Sequence, residues 1–243
     1  MSRGARLDLT LTQRGLAESR TKAQALIASG RVKVAGFTER RAERLVGAQI
    51  ELSVASSTDY VSRSALKLAH GLDAFGIDVT DLACADVGSS TGGFTEVLLA
   101  RGAAVVHAID VGRNLLHWRL RQDPRVRLHE GTNARYWSSF EDDLSLCVFD
   151  VSFISLRLVI PAIMGAAPRA EAVVLFKPQF EVGRAQVGTR GVVTDPTVVQ
   201  SSIDDFRQWA DRSGWQVSAP EPAPIKGARG NQEYLLHLSR PER

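Results

Sequence analysis

Cysteine is almost missing from this sequence. Cys84 and Cys147 are the only two, too few for a disulfide framework or a zinc cluster. The five histidines show no paired metal spacing, so no metal is expected. No apolar run approaches the ~20 residues that cross a bilayer, and Met1 to Arg6 lacks the apolar stretch of a signal peptide. Glycine and proline are scattered and no heptad persists, which excludes a collagen-like repeat and a coiled coil. The expectation is a reduced, cytoplasmic protein. What remains is ordinary globular material: 243 residues, 44% hydrophobic and 23% charged, enough for one large domain and a small appendage.

Positive charge is concentrated early. Residues 1–60 carry 10 basic and 6 acidic side chains, the remainder 20 and 21. Clustered cations favour a polyanion through counterion release. Leu7, Leu9 and Leu11 are apolar positions in the first segment. Ser19 can cap a helix over Arg20–Ile27, with Ala23, Leu26 and Ile27 on one side, and Gly30 stops it. Residues 31–34 alternate basic and apolar as a half-buried strand, Gly36 marks a turn, and residues 49–54 read as a second strand.

These residues resemble the S4 domain, an RNA-binding module. The likeness rests on Arg6 to Asp8, Gly15 to Arg20, Ala23, Ile27, Gly30 and Val32 to Gly36. It implies that Arg6, Arg14, Ser19, Arg20, Lys22, Arg31 and Lys33 meet RNA phosphates. Ala35 stands where many members have Asn, a departure in the turn. The competing reading makes Arg20 and Lys22 helix solubilisers. The expected layout is an S4-like domain over 1–55, a linker over 56–62 and a second domain over 63–243.

The second part alternates strand and helix: strands at Leu82–Val87, Ala104–Asp110, Leu144–Asp150 and Ala172–Lys177, and a helix from Asp195 to about Arg212. Trp215–Ala219 and Glu233–Ser239 close it as a strand pair. Successive βα units predict an α/β fold with a mostly parallel sheet and helices on both faces. The ligand crevice then lies at the carboxyl ends of the strands. Trp118, Trp137, Trp209 and Trp215 are expected as packing anchors.

Chemistry collects at those strand ends. The loop Asp86-Val-Gly-Ser-Ser-Thr-Gly-Gly-Phe94 opens a helix after the first strand, and Asp110 ends the next. Glycines let a ligand approach backbone, and an acid at Asp110 suits a ribose diol. The loop is neither a Walker A nor a G-x-G-x-x-G. Asp86 would repel a pyrophosphate and suits a cationic ligand such as S-adenosylmethionine. Packing without ligand is the rival for Gly92 and Gly93, and a helix cap for Asp110. Thr132 and Asn133 follow the third strand, where adenine or a simple turn would account for them. Lys67, Asp150, Lys177 and Glu233 are charged at strand ends or on a helix, which is unusual for apolar runs. Together they fit a site that activates a hydroxyl, although each alone reads as a surface ion pair.

With these motifs the chain resembles the TlyA family of ribosomal RNA 2′-O-methyltransferases, an S4 domain joined to an FtsJ-like methyltransferase domain. The carrying motifs are Tyr60 to Lys67, Asp86 to Phe94, Phe149 to Leu156 and Phe176 to Glu181, with Thr189 to Pro196 and Gly227 to Tyr234. The resemblance implies a Rossmann-like fold with an antiparallel last strand and S-adenosylmethionine as cofactor. It also implies a catalytic tetrad of Lys67, Asp150, Lys177 and Glu233, with Lys177 as base. Cofactor contacts fall on Asp86, Gly88, Ser89, Ser90, Thr91, Gly92, Gly93, Phe94, Asp110, Asn133 and Asp150. The implied partner is ribosomal RNA or a ribosomal subunit, with no membrane. Ser64-Ala65 replaces a usual Gly-Gly, and Thr91 a frequent Pro. Two alternatives stay open: a non-catalytic RNA-binding factor, and a membrane-lytic protein, for which no long basic amphipathic helix is visible.

Overall fold

The computed structural model describes residues 4–17, 19–28, 30–47, 49–54 and 60–240. The chain divides into two compact units, Met1–Asp59 and Tyr60–Arg243. Of the expected linker, residues 56–59 lie outside the described residues.

The N-terminal unit begins with β1 (Ala5–Arg6), α1 (Leu7–Gln13) and α2 (Arg20–Ala28). Then come β2 (Val32–Val34), β3 (Phe37–Glu39), β4 (Leu45–Val46) and β5 (Leu52–Val54). The strands β3-β2-β5 form an antiparallel sheet, and β1 pairs with β4. The pairing of β2 with β5 matches the two strands read from alternation, whereas β1 and β4 are only two residues long and β3 buries only Glu39, so none of the three carries an apolar alternation. A core of Leu7, Leu11, Leu26, Ile27, Val32 and Val34 joins helices to sheet. Ser19 Oγ accepts from Lys22 N at 3.2 Å, the expected cap. Ala35 and Gly36 have φ of 49° and 82°, so the two-residue turn from β2 to β3 places both in the left-handed region. That turn favours Asn-Gly, and Ala35 is strained there.

Buried arginine-held carboxylates brace this unit. Asp8 is fully buried, accepting from Arg6 Nε and Nη2 at 3.0 Å, Arg20 Nε at 3.0 Å and Gln24 Nε2 at 2.9 Å. Arg6 foremost holds its carboxyl far below the usual range. Glu39 accepts from the backbone of Arg40 and Arg41 at 2.9 Å and from Arg44 Nη1 at 2.6 Å. Its carboxyl is lowered to about 2, first through the Arg41 side chain.

The C-terminal unit runs α3 (Ala65–Phe75), β6 (Ala83–Val87), α4 (Gly93–Ala100), β7 (Val105–Asp110), α5 (Trp118–Arg121), β8 (Val126–Glu130) and β9 (Leu146–Phe149). It continues through α6 (Ile160–Ala166), β10 (Glu171–Phe176), α7 (Pro178–Glu181), α8 (Pro196–Arg212), β11 (Gln216–Val217), β12 (Glu221–Pro222) and β13 (Tyr234–Ser239). The sheet order is β11-β13-β10-β9-β6-β7-β8, with β12 pairing β13. The five strands from β10 to β8 are parallel, and β13 runs antiparallel to β10. Strand side chains alternate between two cores. Cys147 and Phe149 pack with α6 and α8, while Leu146 and Val148 pack with α3 and α4. Such double coverage explains why these strands read as continuous apolar runs. Pro196 starts α8 after Asp195, whose carboxylate accepts from Thr197 N at 2.8 Å. Chain order reverses between β6 and β9, which opens a crevice at their carboxyl ends. Trp118 departs from expectation: it is 62% exposed, because α5 is a single turn that buries only Leu120.

Candidate functional site

Three cavities share residues at the carboxyl end of this sheet. The largest, about 500 Å³, is lined by Gly88, Ser90, Asp110, Thr132, Asn133 and Asp150 among others. A second, about 250 Å³, takes in Lys67, Asp150, Lys177 and Glu233 together with residues 88–91. A third, about 290 Å³, shares Lys177 and Glu233 with the second and contains none of residues 88–91. Ser152 lines all three.

The four charged residues sit where strands and a helix end. Asp150 and Lys177 each lie one residue beyond their strand, Glu233 one residue before β13, and Lys67 in the first turn of α3. Lys177 Nζ is 2.5 Å from Asp150 Oδ1, and donates to Val151 O at 2.9 Å and Ser152 Oγ at 3.0 Å. These three acceptors match the three donors of an ammonium. Lys67 Nζ donates to Glu233 Oε2 at 2.5 Å, both side chains buried. The sheet thus joins residues 166 positions apart in the chain. Buried cations are tolerated because each faces a carboxylate.

The loop after β6 is shaped by close approach. Gly88 has φ +89°, and a Cβ there would lie 2.7 Å from Asp150 O. Gly93 faces Ser64 Oγ, so the Ser64-Ala65 departure is accommodated against a residue without a side chain. Asp110 accepts from Ser90 N at 2.8 Å and Gly112 N at 2.6 Å, and it lines the largest cavity. Asn133 Oδ1 accepts from Arg135 N at 3.1 Å, so the turn reading holds while the residue still lines that cavity. Phe94 packs its ring into the core.

Asp86 is different. Its Oδ2 accepts from Thr95 N at 2.8 Å and Thr95 Oγ1 at 2.6 Å, but Oδ1 is buried without a partner. Burial pushes its carboxyl up to about 7, with the charges of Asp150 and Asp110 adding to the rise. It lines none of the three cavities. Ser89 Oγ, which lines the second, is also buried without a partner. The largest cavity, at about 500 Å³, is of the size that holds nucleotide-like ligands.

Residues 60–240 match the FtsJ-like methyltransferase family and residues 5–46 the S4 domain. The chain is 46% identical over 243 residues to the 16S/23S rRNA (cytidine-2′-O)-methyltransferase TlyA of Mycobacterium tuberculosis, covering 98% of this chain and 91% of that one. The chain belongs to the TlyA family. It is also 38% identical over 237 residues to Hemolysin A of Brachyspira hyodysenteriae, covering 96% and 99% of the two chains. A hemolysin-titled structure from Streptococcus thermophilus superimposes with a TM-score of 0.71 at 36% identity, covering 99% of this chain and 90% of that one. In this TlyA-family chain, among the described residues, no helix is long and apolar enough to cross a membrane. None of the described His, Cys, Asp and Glu residues gather in threes that could hold a metal.

The residues read as RNA-facing divide. Arg6 and Arg20 are engaged by Asp8, and Arg14 Nη1 donates to Ile50 O at 2.7 Å. Ser19 caps α2, Lys22 and Lys33 are exposed, and Arg31 is half-buried. Sequence reasoning missed Val111, Leu115, Ser152, Phe153 and Gln179, all of which line the cavities. Val111 and Leu115 carried a signal, as apolar residues directly after the acid that ends β7. Phe153 has φ +64° and is 84% exposed, inside the Phe149 to Leu156 motif.

Proposed function

We propose that this chain transfers a methyl group from S-adenosylmethionine to a ribose 2′-hydroxyl of ribosomal RNA. The observation that carries this reading is the meeting of three cavities at Ser152, with Lys177 lining the two that hold Glu233. One is fit for a nucleoside donor, one holds the tetrad and one is open to an acceptor. Residues 88–91, Asp110 and Asn133 would hold the cofactor, whose sulfonium supplies an electrophilic methyl group when bound. Lys177 Nζ takes up the proton of the hydroxyl in its amine form, in which two N–H groups remain on the acceptors Asp150, Val151 O and Ser152 Oγ and the lone pair is left for the hydroxyl. Lys67 and Glu233 form the opposite wall and fix the ribose between two ion pairs. The absence of a side chain at Gly88 lets this loop pack directly against the Asp150 backbone.

Residues 1–55 serve as the RNA-binding module and 63–243 as the transferring domain, with 56–62 between them. The exposed cations Lys22 and Lys33 meet phosphates directly, as do the faces of Arg6, Arg14, Arg20 and Arg31 left over from their internal contacts. RNA of defined shape is recognised largely through its backbone, which suits this set of residues. The protein acts in the cytoplasm, where ribosomal subunits are its partner.

The test uses the purified full chain, S-adenosylmethionine labelled in its methyl group, and ribosomal subunits from cells lacking the protein. Label should appear in a dinucleotide resistant to alkaline cleavage, because a 2′-O-methyl group blocks that cleavage. Label on a base, or none, would refute the reading. Calorimetry with S-adenosylmethionine separates it from a non-catalytic RNA-binding factor, which would give no heat of binding.

A further inference from the structure

The third cavity, on the acceptor side of the site, has three charged side chains in its wall: Lys177, Glu233 and Arg229. Lys177 is balanced by Asp150, and Glu233 by Lys67. Arg229 is exposed and, among the described residues, has neither an ion pair nor a side-chain hydrogen bond. The wall therefore carries one positive charge that no carboxylate offsets. Arg184 and Arg190, on the loop before α8, line none of the three cavities.

The turn that carries Arg229 is fixed in place. Gly227 N donates to Asn231 O at 3.0 Å and Gly230 N to Gly227 O at 2.9 Å, which closes residues 227–231 into a loop. Asn231 is buried, donates from Nδ2 to Gly191 O at 2.9 Å and accepts at Oδ1 from Val193 N at 3.0 Å. Those bonds fasten the turn to the neighbouring loop. The Arg229 side chain crosses Gly191, where φ is +74° and a Cβ would lie 2.6 Å from Nη1. At its start the turn rests on the tetrad, since a Cβ on Gly227 would collide with Glu233 Oε1. The other oxygen of Glu233 is held by Lys67. The guanidinium is thus positioned from the same carboxylate that walls the reacting hydroxyl.

We infer that Arg229 binds the phosphodiester on the 3′ side of the ribose being methylated. O2′ and O3′ sit on adjacent carbons, so a hydroxyl presented to Lys177 brings its 3′ phosphate into the same small cavity. The 5′ phosphate leaves from the opposite edge of the sugar. The paired charges of the tetrad offer a phosphate no net attraction. Arg229 supplies it, because a guanidinium meets two phosphate oxygens through a planar fork. The ribose is then held at two points, the hydroxyl and the phosphate beside it, which orients the attacking oxygen. Arg229 is a binding residue and moves no proton. This inference rests on the methyl-transfer reading and adds to it the group that presents the acceptor.

The experiment uses the full chain and ribosomal subunits from cells lacking the protein. Arg229→Ala should lower kcat/KM about 10-fold or more, with S-adenosylmethionine affinity unchanged by calorimetry. Its plot of log subunit affinity against log salt should be shallower than that of wild type by about 0.7–0.9, the signature of one lost phosphate contact. A role in packing alone would leave that slope untouched. Arg229→Gln should behave as the alanine variant does and replaces it if alanine is unstable, while Arg229→Lys keeps the charge and should keep the slope. Wild type alone gives a second reading, on subunits reconstituted with a neutral methylphosphonate beside the mapped target ribose. Placed on the 3′ side it should cost wild type about 10-fold in kcat/KM and cost Arg229→Ala nothing further; placed on the 5′ side it should be tolerated. An unchanged salt slope in the neutral variants, or wild type indifferent to the 3′ methylphosphonate, overturns the inference while methyl transfer stands. Wild type that methylates no subunit at all sinks both, and that failure shows before any variant is made.

Discussion

Asp8 and Glu39 in the N-terminal unit and Asp86 in the C-terminal unit are all shielded from water, but they are treated oppositely. Asp8 has both oxygens filled by Arg6, Arg20 and Gln24, and Glu39 is ringed by Arg40, Arg41 and Arg44. Asp86 has one oxygen on Thr95 and the other bare. Paired carboxylates fall below their usual range and hold a fold together; the unpaired one rises because burial penalises its charge. The lesson is that an unmet buried acid beside a cleft marks function more clearly than a satisfied one does.

The sharpest break in this contrast comes at the site itself. Lys177→Ala should lower methyl transfer at least about 1,000-fold while RNA binding in a filter assay persists; near-wild-type turnover would remove the tetrad from the mechanism. Next is the N-terminal brace. Asp8→Asn should cost about 2 kcal/mol in a denaturant titration at pH 7, since bonds to charged groups are lost. The cost should shrink as pH falls, because a carboxyl with a lowered folded pKa stabilises above its unfolded value of 3.8 and loses that contribution in acid.

Asp86→Asn should act with the opposite sign on stability. The folded carboxyl holds its proton up to about 7 and the unfolded one only to 3.8, so stability falls as pH rises between those values. Asparagine removes that penalty, and the variant should melt higher than wild type at pH 8 and equally at pH 3. Its affinity for S-adenosylmethionine should drop about 10-fold at pH 8, and wild-type affinity should itself weaken as pH falls below about 7. A pH-independent affinity in wild type would disconnect Asp86 from the cation. Smallest of all, Ala35→Asn should stabilise the N-terminal unit by about 0.5 kcal/mol by relieving the left-handed turn; a loss in denaturant midpoint would count against that turn type.

Much of the second unit was legible because its strands are buried on both faces and its long helix α8 carries a clear cap at Asp195 and Pro196. The first unit was harder. Two-residue strands such as β1 and β4 leave no period to detect, and β3 buries only Glu39. Trp118 misled because a large aromatic suggests packing, yet α5 is too short to bury it. Asp86 was visible as an added acid on a glycine loop. Its bare oxygen was not, since satisfaction of a hydrogen bond depends on neighbours brought in by folding.

Composition, the early excess of cations and the alternation of apolar strands with helices determined that this chain has a small basic unit and a parallel α/β unit. Those features are local, and local chemistry suffices for them. Which lysine meets which carboxylate was decided only in three dimensions. The β6–β9 switch point and the antiparallel β13 bring Lys67, Asp150, Lys177 and Glu233 into one cavity, and pair Lys67 with Glu233 and Lys177 with Asp150. Charges interact over a few ångströms regardless of their separation along the chain, so that pairing is written in the topology and in no stretch of sequence.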